Sequence, residues 1–104
     1  MKKRNTVSSA YADLGFPDAD AMLLKAQLVV KIAEILHQRG LTQQEAARIL
    51  GLTQPKLSKM LRGQFRGISE IKMMDCLVRL GREVKIVIGT KREGASGRVE
   101  VVAA

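Results

Sequence analysis

With 104 residues, the chain has room for one modest domain around a single core and hardly for a catalytic or ligand-sensing domain beside it. A composition of 46% hydrophobic and 27% charged residues is that of a folding domain, and 3% aromatic residues with no Trp leave almost nothing for stacking single-stranded nucleic acid. The net charge of +8 points to a polyanionic partner whose counterions are released on binding.

The basic start Met1-Lys2-Lys3-Arg4 is not followed by an apolar stretch of signal-peptide length, and no run approaches the roughly 20 apolar residues needed to span a bilayer. A cytoplasmic protein is expected. The single cysteine, Cys76, cannot form an internal disulfide, which agrees with a reducing interior. Residues 1–17 show neither helical nor strand periodicity and read as an N-terminal arm carrying the apolar Tyr11, Leu14 and Phe16.

A helix is expected to start at Asp18, its N-cap, with Asp20 near the positive end of the dipole. Leu24, Leu28, Ile32, Ile35 and Leu36 give it a core-facing stripe, and Gly40 is placed to end it after about Arg39. Thr42 and Glu45 form a capping box for a short helix over Gln43 to Leu50, stopped at Gly51. Thr53 caps a third helix with Pro55 in its first turn and Gly63 at its end. Ser69 caps a fourth, with Ile71, Met74, Leu77 and Val78 expected on its apolar face and Gly81 beyond Leu80. The period then shifts toward two, so Val84 to Ile88 reads as a strand, residues 89–97 as a loop and Val99 to Val102 as a second strand.

The middle of the chain carries the chemistry. Residues 41–66 hold Arg48, Lys56, Lys59, Arg62 and Arg66 against one acid, Glu45, the largest local excess of positive charge. Two short helices joined by a three-residue turn containing glycine present the second helix to a DNA major groove. Ala47 is small where the helices cross, and Leu50, Leu52 and Leu57 fill the space beneath. The stretch Leu41-Thr-Gln-Gln-Glu-Ala-Ala-Arg-Ile-Leu-Gly-Leu-Thr-Gln-Pro-Lys-Leu-Ser-Lys-Met-Leu-Arg-Gly63 resembles, without a gap, the helix-turn-helix of the lambda-repressor-like (Xre) family. The expected fold is mainly α: a lambda-repressor-like bundle of four main helices over residues 18–81, followed by a C-terminal strand or hairpin over 82–104 serving as dimerisation element.

At about 100° per residue, Leu57, Met60 and Leu61 fall on one side of the third helix, and Pro55, Ser58, Lys59 and Arg62 on the other, flanked by Gln54 and Lys56. Gln54 is the candidate base reader, because a carboxamide can bond bidentately to adenine N6 and N7 and first-turn residues lie deepest in the groove. The matching glutamine does this in the family the motif resembles. Pro55 departs from that family's small or polar residue and leaves at most an apolar contact, such as with a thymine methyl. Gln43, with the open N–H groups of its helix end, is a candidate phosphate holder, and Thr53 joins the site as the cap from which the third helix starts. Lys56, Lys59, Arg62 and Arg66 are candidate phosphate contacts, with Lys59 equally able to reach a guanine.

The alternative for this face is a solvated basic surface of a helical domain. His37, Cys76 and the methionines Met60, Met73 and Met74 sit at structural positions, so no metal site, no cofactor and no catalytic residue is expected. Beyond the motif, Leu14-Gly-Phe-Pro-Asp18, Leu77-Val-Arg-Leu-Gly81 and Val84-Lys-Ile-Val-Ile88 are similar to a compact Xre subgroup. That resemblance implies a HigA-type antitoxin that represses its own operon and neutralises a RelE/HigB-like ribonuclease toxin; the alternative is a stand-alone phage-type or metabolic repressor. The strand replaces the fifth helix usual in such repressors, and its exposed edge pairs either with a second copy in a homodimer or within a hairpin. The arm is the candidate toxin contact or else packs on its own core. Without a sensing domain, control by a protein partner rather than a small-molecule effector is expected.

Overall fold

The structure, a computed structural model, describes residues 19–91, 93–94 and 96–103. The expectations placed on the arm, with Tyr11, Leu14 and Phe16, on the basic start and on Asp18 as a cap lie outside these residues. The chain divides into two units, Lys25–Val84 and a second made of Met1–Leu24 with Lys85–Ala104. Four helices form among the described residues: α1 (Ala19–Arg39), α2 (Gln43–Leu50), α3 (Gln54–Leu61) and α4 (Glu70–Arg79).

The helix starts are local chemistry. The Thr42, Thr53 and Ser69 hydroxyls accept from the backbone N–H groups of Glu45 (3.1 Å), Lys56 (3.2 Å) and Lys72 (3.0 Å), each satisfying one donor that the first turn leaves open. The capping box is complete, since the Thr42 N–H donates back to the Glu45 carboxylate at 2.9 Å.

The stops are equally local, and all four are built alike. In each, a positive-φ glycine follows the last turn, and its amide and the next one bond back into that turn. After α1, for instance, Gly40 N–H donates to His37 O (3.1 Å) and Leu41 N–H to Leu36 O (3.2 Å). After α4, the Gly81 and Arg82 N–H groups donate to Val78 O and Leu77 O, both at 2.9 Å.

In the Lys25–Val84 unit, Leu28, Val29, Ile32, Ile35 and Leu36 of α1 are buried, as are Ala46, Ala47 and Leu50 of α2, Leu57 and Met60 of α3, and Met73, Cys76 and Leu77 of α4. Phe65 and Ile68 in the connection before α4, and Leu80 after it, complete this core. Removing such side chains from water contributes about 1.5–3 kcal/mol each, offset by the entropy of ordering the chain. Helix α2 packs on both α3 and α4.

The buried face of α4 matches the expected one at Leu77 and differs from it at Ile71 and Val78. Ile71 and Val78 are 73% and 56% exposed, while the stripe Met73, Cys76, Leu77 and Leu80 faces the core. Both stripes are apolar at three- and four-residue steps, so periodicity within the helix cannot choose between them. Contacts with α2 decide.

The described part of the second unit comprises the first residues of α1 and residues 85–91, 93–94 and 96–103, where Ile86, Val87, Ile88, Val99 and Val102 are exposed. No strand forms among the described residues, so the strand or hairpin expected over 84–88 and 99–102 is absent from them. The physical reason is that β-propensity only suits a residue to a pleated surface; a strand exists through a ladder to a partner.

Candidate nucleic-acid interface

Gly51, Leu52 and Thr53 alone separate α2 from α3. Gly51 adopts φ 68° and ψ 32°, a left-handed conformation that costs a residue with a Cβ about 1–2 kcal/mol. Its conformation turns the chain so that the Leu52 N–H reaches Ala47 O at 3.0 Å, and Thr53, extended at φ −73° and ψ 153°, launches α3. Pro55 lies in the first turn of α3, where no carbonyl awaits its missing N–H. Leu50 and Leu57 are fully enclosed beneath the turn, and Leu52 is half-buried.

With Leu57 and Met60 in the core, the other side of α3 is turned outward. Gln54, Pro55, Lys56, Lys59 and Arg62 are exposed and Ser58 is half-buried, the sorting expected from the helical angle. Thr53 and Gln43 are exposed at the starts of α3 and α2. The structure joins two of these residues directly: the Arg62 guanidinium donates to the Ser58 hydroxyl one turn earlier. That bond lays the Arg62 side chain along the outer face. The four-residue spacing was its sequence signal.

Helix α3 contains no acidic residue, so the charge of Lys56 adds to the positive N-terminal end of its dipole, while Lys59 stands in its last turn. The one acid of α2, Glu45, is occupied by its cap. Hydrogen bonds from the Thr42 backbone and then its hydroxyl, helped by Arg48, hold its carboxyl below the usual range. The face therefore presents amide and cationic groups from one helix, on a shape that a duplex groove can admit.

A family model described as a helix-turn-helix domain matches residues 10–89. A solved structure described as an XRE-family transcriptional regulator matches with a TM-score of 0.79 and 36% sequence identity, covering 85% of this chain and 100% of that one. The chain belongs to the XRE family of helix-turn-helix regulators. No curated protein matches it. As an XRE regulator it binds DNA, and the helix pair Gln43–Leu50 and Gln54–Leu61 is its helix-turn-helix. No helix among the described residues is long and apolar enough to cross a membrane, and among them no three His, Cys, Asp or Glu side chains group as metal ligands.

Sequence reasoning missed the polar groups that hold this regulator's motif in place. The Lys72 ammonium donates to Leu50 O at 2.8 Å and to the Asp75 carboxylate at 3.0 Å, and Arg79 Nε reaches the same carboxylate oxygen at 2.8 Å. Lys25, buried at 9% exposure, donates to Arg66 O at 2.9 Å. A signal existed for both: Lys72, Asp75 and Arg79 recur at helical spacing, and Lys25 falls on the stripe of Leu28, Val29 and Ile32, where a charge is out of place.

Proposed function

We propose that this XRE regulator is a sequence-specific repressor that reads double-stranded DNA with α3. Gln54 makes the base contact. Thr53, Pro55, Ser58 and Lys59 line the groove, while Gln43, Lys56 and Arg62 hold phosphates. The observation that carries the reading is the outward, acid-free face of α3 with a carboxamide at its first position. Two copies join into a homodimer at the exposed run Ile86 to Ile88, a reading supported by how much a segment so apolar gains by pairing. Selection from randomised duplexes with the full chain, followed by footprinting of the recovered sequence, tests the reading. A two-fold repeat with half-sites about one helical turn apart is expected. Recovery of no preferred sequence would reduce the protein to a non-specific DNA binder.

The finer role is that of an antitoxin: an autoregulating cytoplasmic repressor, neither enzyme nor metalloprotein, controlled by a RelE/HigB-like ribonuclease toxin rather than by a small molecule. Its support is the likeness of Leu14-Gly-Phe-Pro-Asp18, Leu77 to Gly81 and Val84 to Ile88 to that subgroup. Co-expression with the product of the adjacent gene tests it. Rescued growth and a co-purifying complex are expected, and failure of both leaves the stand-alone repressor.

A further inference from the structure

Backbone on either side of α3 is held by a lysine from another helix. Before α3, Lys72 of α4 donates to the carbonyl of Leu50, the last residue of α2, across 22 positions of sequence. The closing turn engages Ala47 O and Arg48 O, so Lys72 satisfies a carbonyl that the helix end leaves open. Asp75 accepts from both Lys72 and Arg79, which fixes the ammonium from behind. Arg79 also crowds Gly51, the residue that makes the turn. Beyond α3, Lys25 of α1 donates to Arg66 O across 41 positions, in a connection whose Phe65 and Ile68 are buried.

We propose that Lys72 and Lys25 are positioning residues for DNA recognition: they set the register of α3 against the duplex by holding the end of α2 before it and the connection after it, and neither contacts phosphate. A lysine that serves a phosphate keeps its ammonium in water until DNA arrives, whereas these two spend theirs on backbone carbonyls within the fold. Helix α3 has only eight residues, too short to hold its own direction, and its core anchors, Leu57 and Met60, are its fourth and seventh residues, so none lies in its first turn. Anchors confined to one side and to the later part of a short rod leave it free to rock unless the segments before and after it are held. Misplacement of about 1 Å breaks a bidentate base contact but leaves phosphate attraction nearly intact.

The inference rests on α3 as the reading helix, and the test separates the two. Lys72→Met, Lys25→Met and Gln54→Ala are compared with the wild-type full chain on the duplex recovered by selection and on a scrambled duplex, across a salt series, with melting followed in parallel. Each lysine variant is expected to lose about tenfold in the ratio of specific to scrambled affinity, with an unchanged salt slope on scrambled DNA. Lys25→Met is expected to melt close to wild type, because loss of the bond to Arg66 O is offset by removal of a buried charge. Lys72→Arg, which keeps a donor, should recover part of the lost ratio. Amide exchange at Leu52 should rise in Lys72→Met.

A salt slope smaller by about one would make the lysine a phosphate contact and overturn the proposal. Specific and scrambled binding falling together with the melting temperature would make it a stability residue only, and an unchanged ratio would overturn it outright. If Gln54→Ala keeps the base preference while the lysine variants lose theirs, the assignment of Gln54 fails and the positioning role stands.

Discussion

Arg79 lies against Gly51 so closely that a Cβ built on the glycine would stand 3.1 Å from a terminal guanidinium nitrogen and 3.3 Å from the guanidinium carbon. The last turn of α4 is thereby coupled to the hinge of the reading motif, and Gly51 is restricted twice, by its left-handed φ of 68° and by its neighbour.

Gly51→Ala is therefore expected to destabilise the fold by about 1–2 kcal/mol for the backbone alone, with an additional cost for displacing Arg79. Arg79→Ala in the same chain should recover the second part and not the first. Thermal melts of the two single variants and the double variant measure the coupling; strictly additive effects would show that Arg79 yields without cost.

Gln54→Ala should weaken binding to the selected duplex by about 1–3 kcal/mol and relax preference at one base pair. Lys56→Ala should instead weaken specific and scrambled duplexes alike and lower the salt slope by about one. Affinities over a panel of single-base variants distinguish them, and an unchanged profile for Gln54→Ala would move base reading elsewhere on α3.

Acid should loosen the motif through two carboxylates. Asp75 is held below its ordinary pKa by hydrogen bonds from Lys72 and then Arg79, and Glu45 by its bonds from Thr42. A folded-state pKa lowered in this way adds stability above the unfolded value and loses it as pH falls through the folded one. Urea midpoints should therefore be level near neutrality and decline below about pH 4, the carboxylate range. Asp75→Asn should start lower at neutral pH and decline less, and parallel curves would contradict the assigned cause.

Ile86→Lys with Ile88→Lys should leave the melt of the helical unit within about 0.5 kcal/mol of wild type, since both side chains are exposed. The same pair should shift the protein toward monomer in sedimentation and weaken binding to a two-fold site more than to a single half-site. A dimer that survives would point to another surface, with the exposed Ile71 and Val78 of α4 next to be tested.

What was legible in the sequence was whatever is decided within about five residues. Thr42 with Glu45, Thr53, Ser69 and the closing glycines set the helix limits through bonds to their own neighbours, so α2 runs over Gln43–Leu50 as read. The outer face of α3 was legible for a related reason, since Leu57 and Met60 leave one side to turn inward. Illegible were the choices made between distant segments. The two apolar stripes of α4 are equivalent until α2 packs against one, and a lysine at position 25 or 72 does not announce which carbonyl it will meet. The run Val84 to Ile88 has strand composition, yet whether it becomes a strand depends on a partner outside its own sequence.

Cys76 is fully enclosed on the core side of α4, and burial pushes its thiol upward, away from the thiolate that oxidants and electrophiles attack. Peroxide or a thiol reagent can therefore reach it only when the unit opens, and α3 loses its support in the same event. DNA binding by this regulator is accordingly indifferent to the redox state of its surroundings as long as it stays folded, and the rate at which Cys76 is alkylated becomes a built-in clock for that opening.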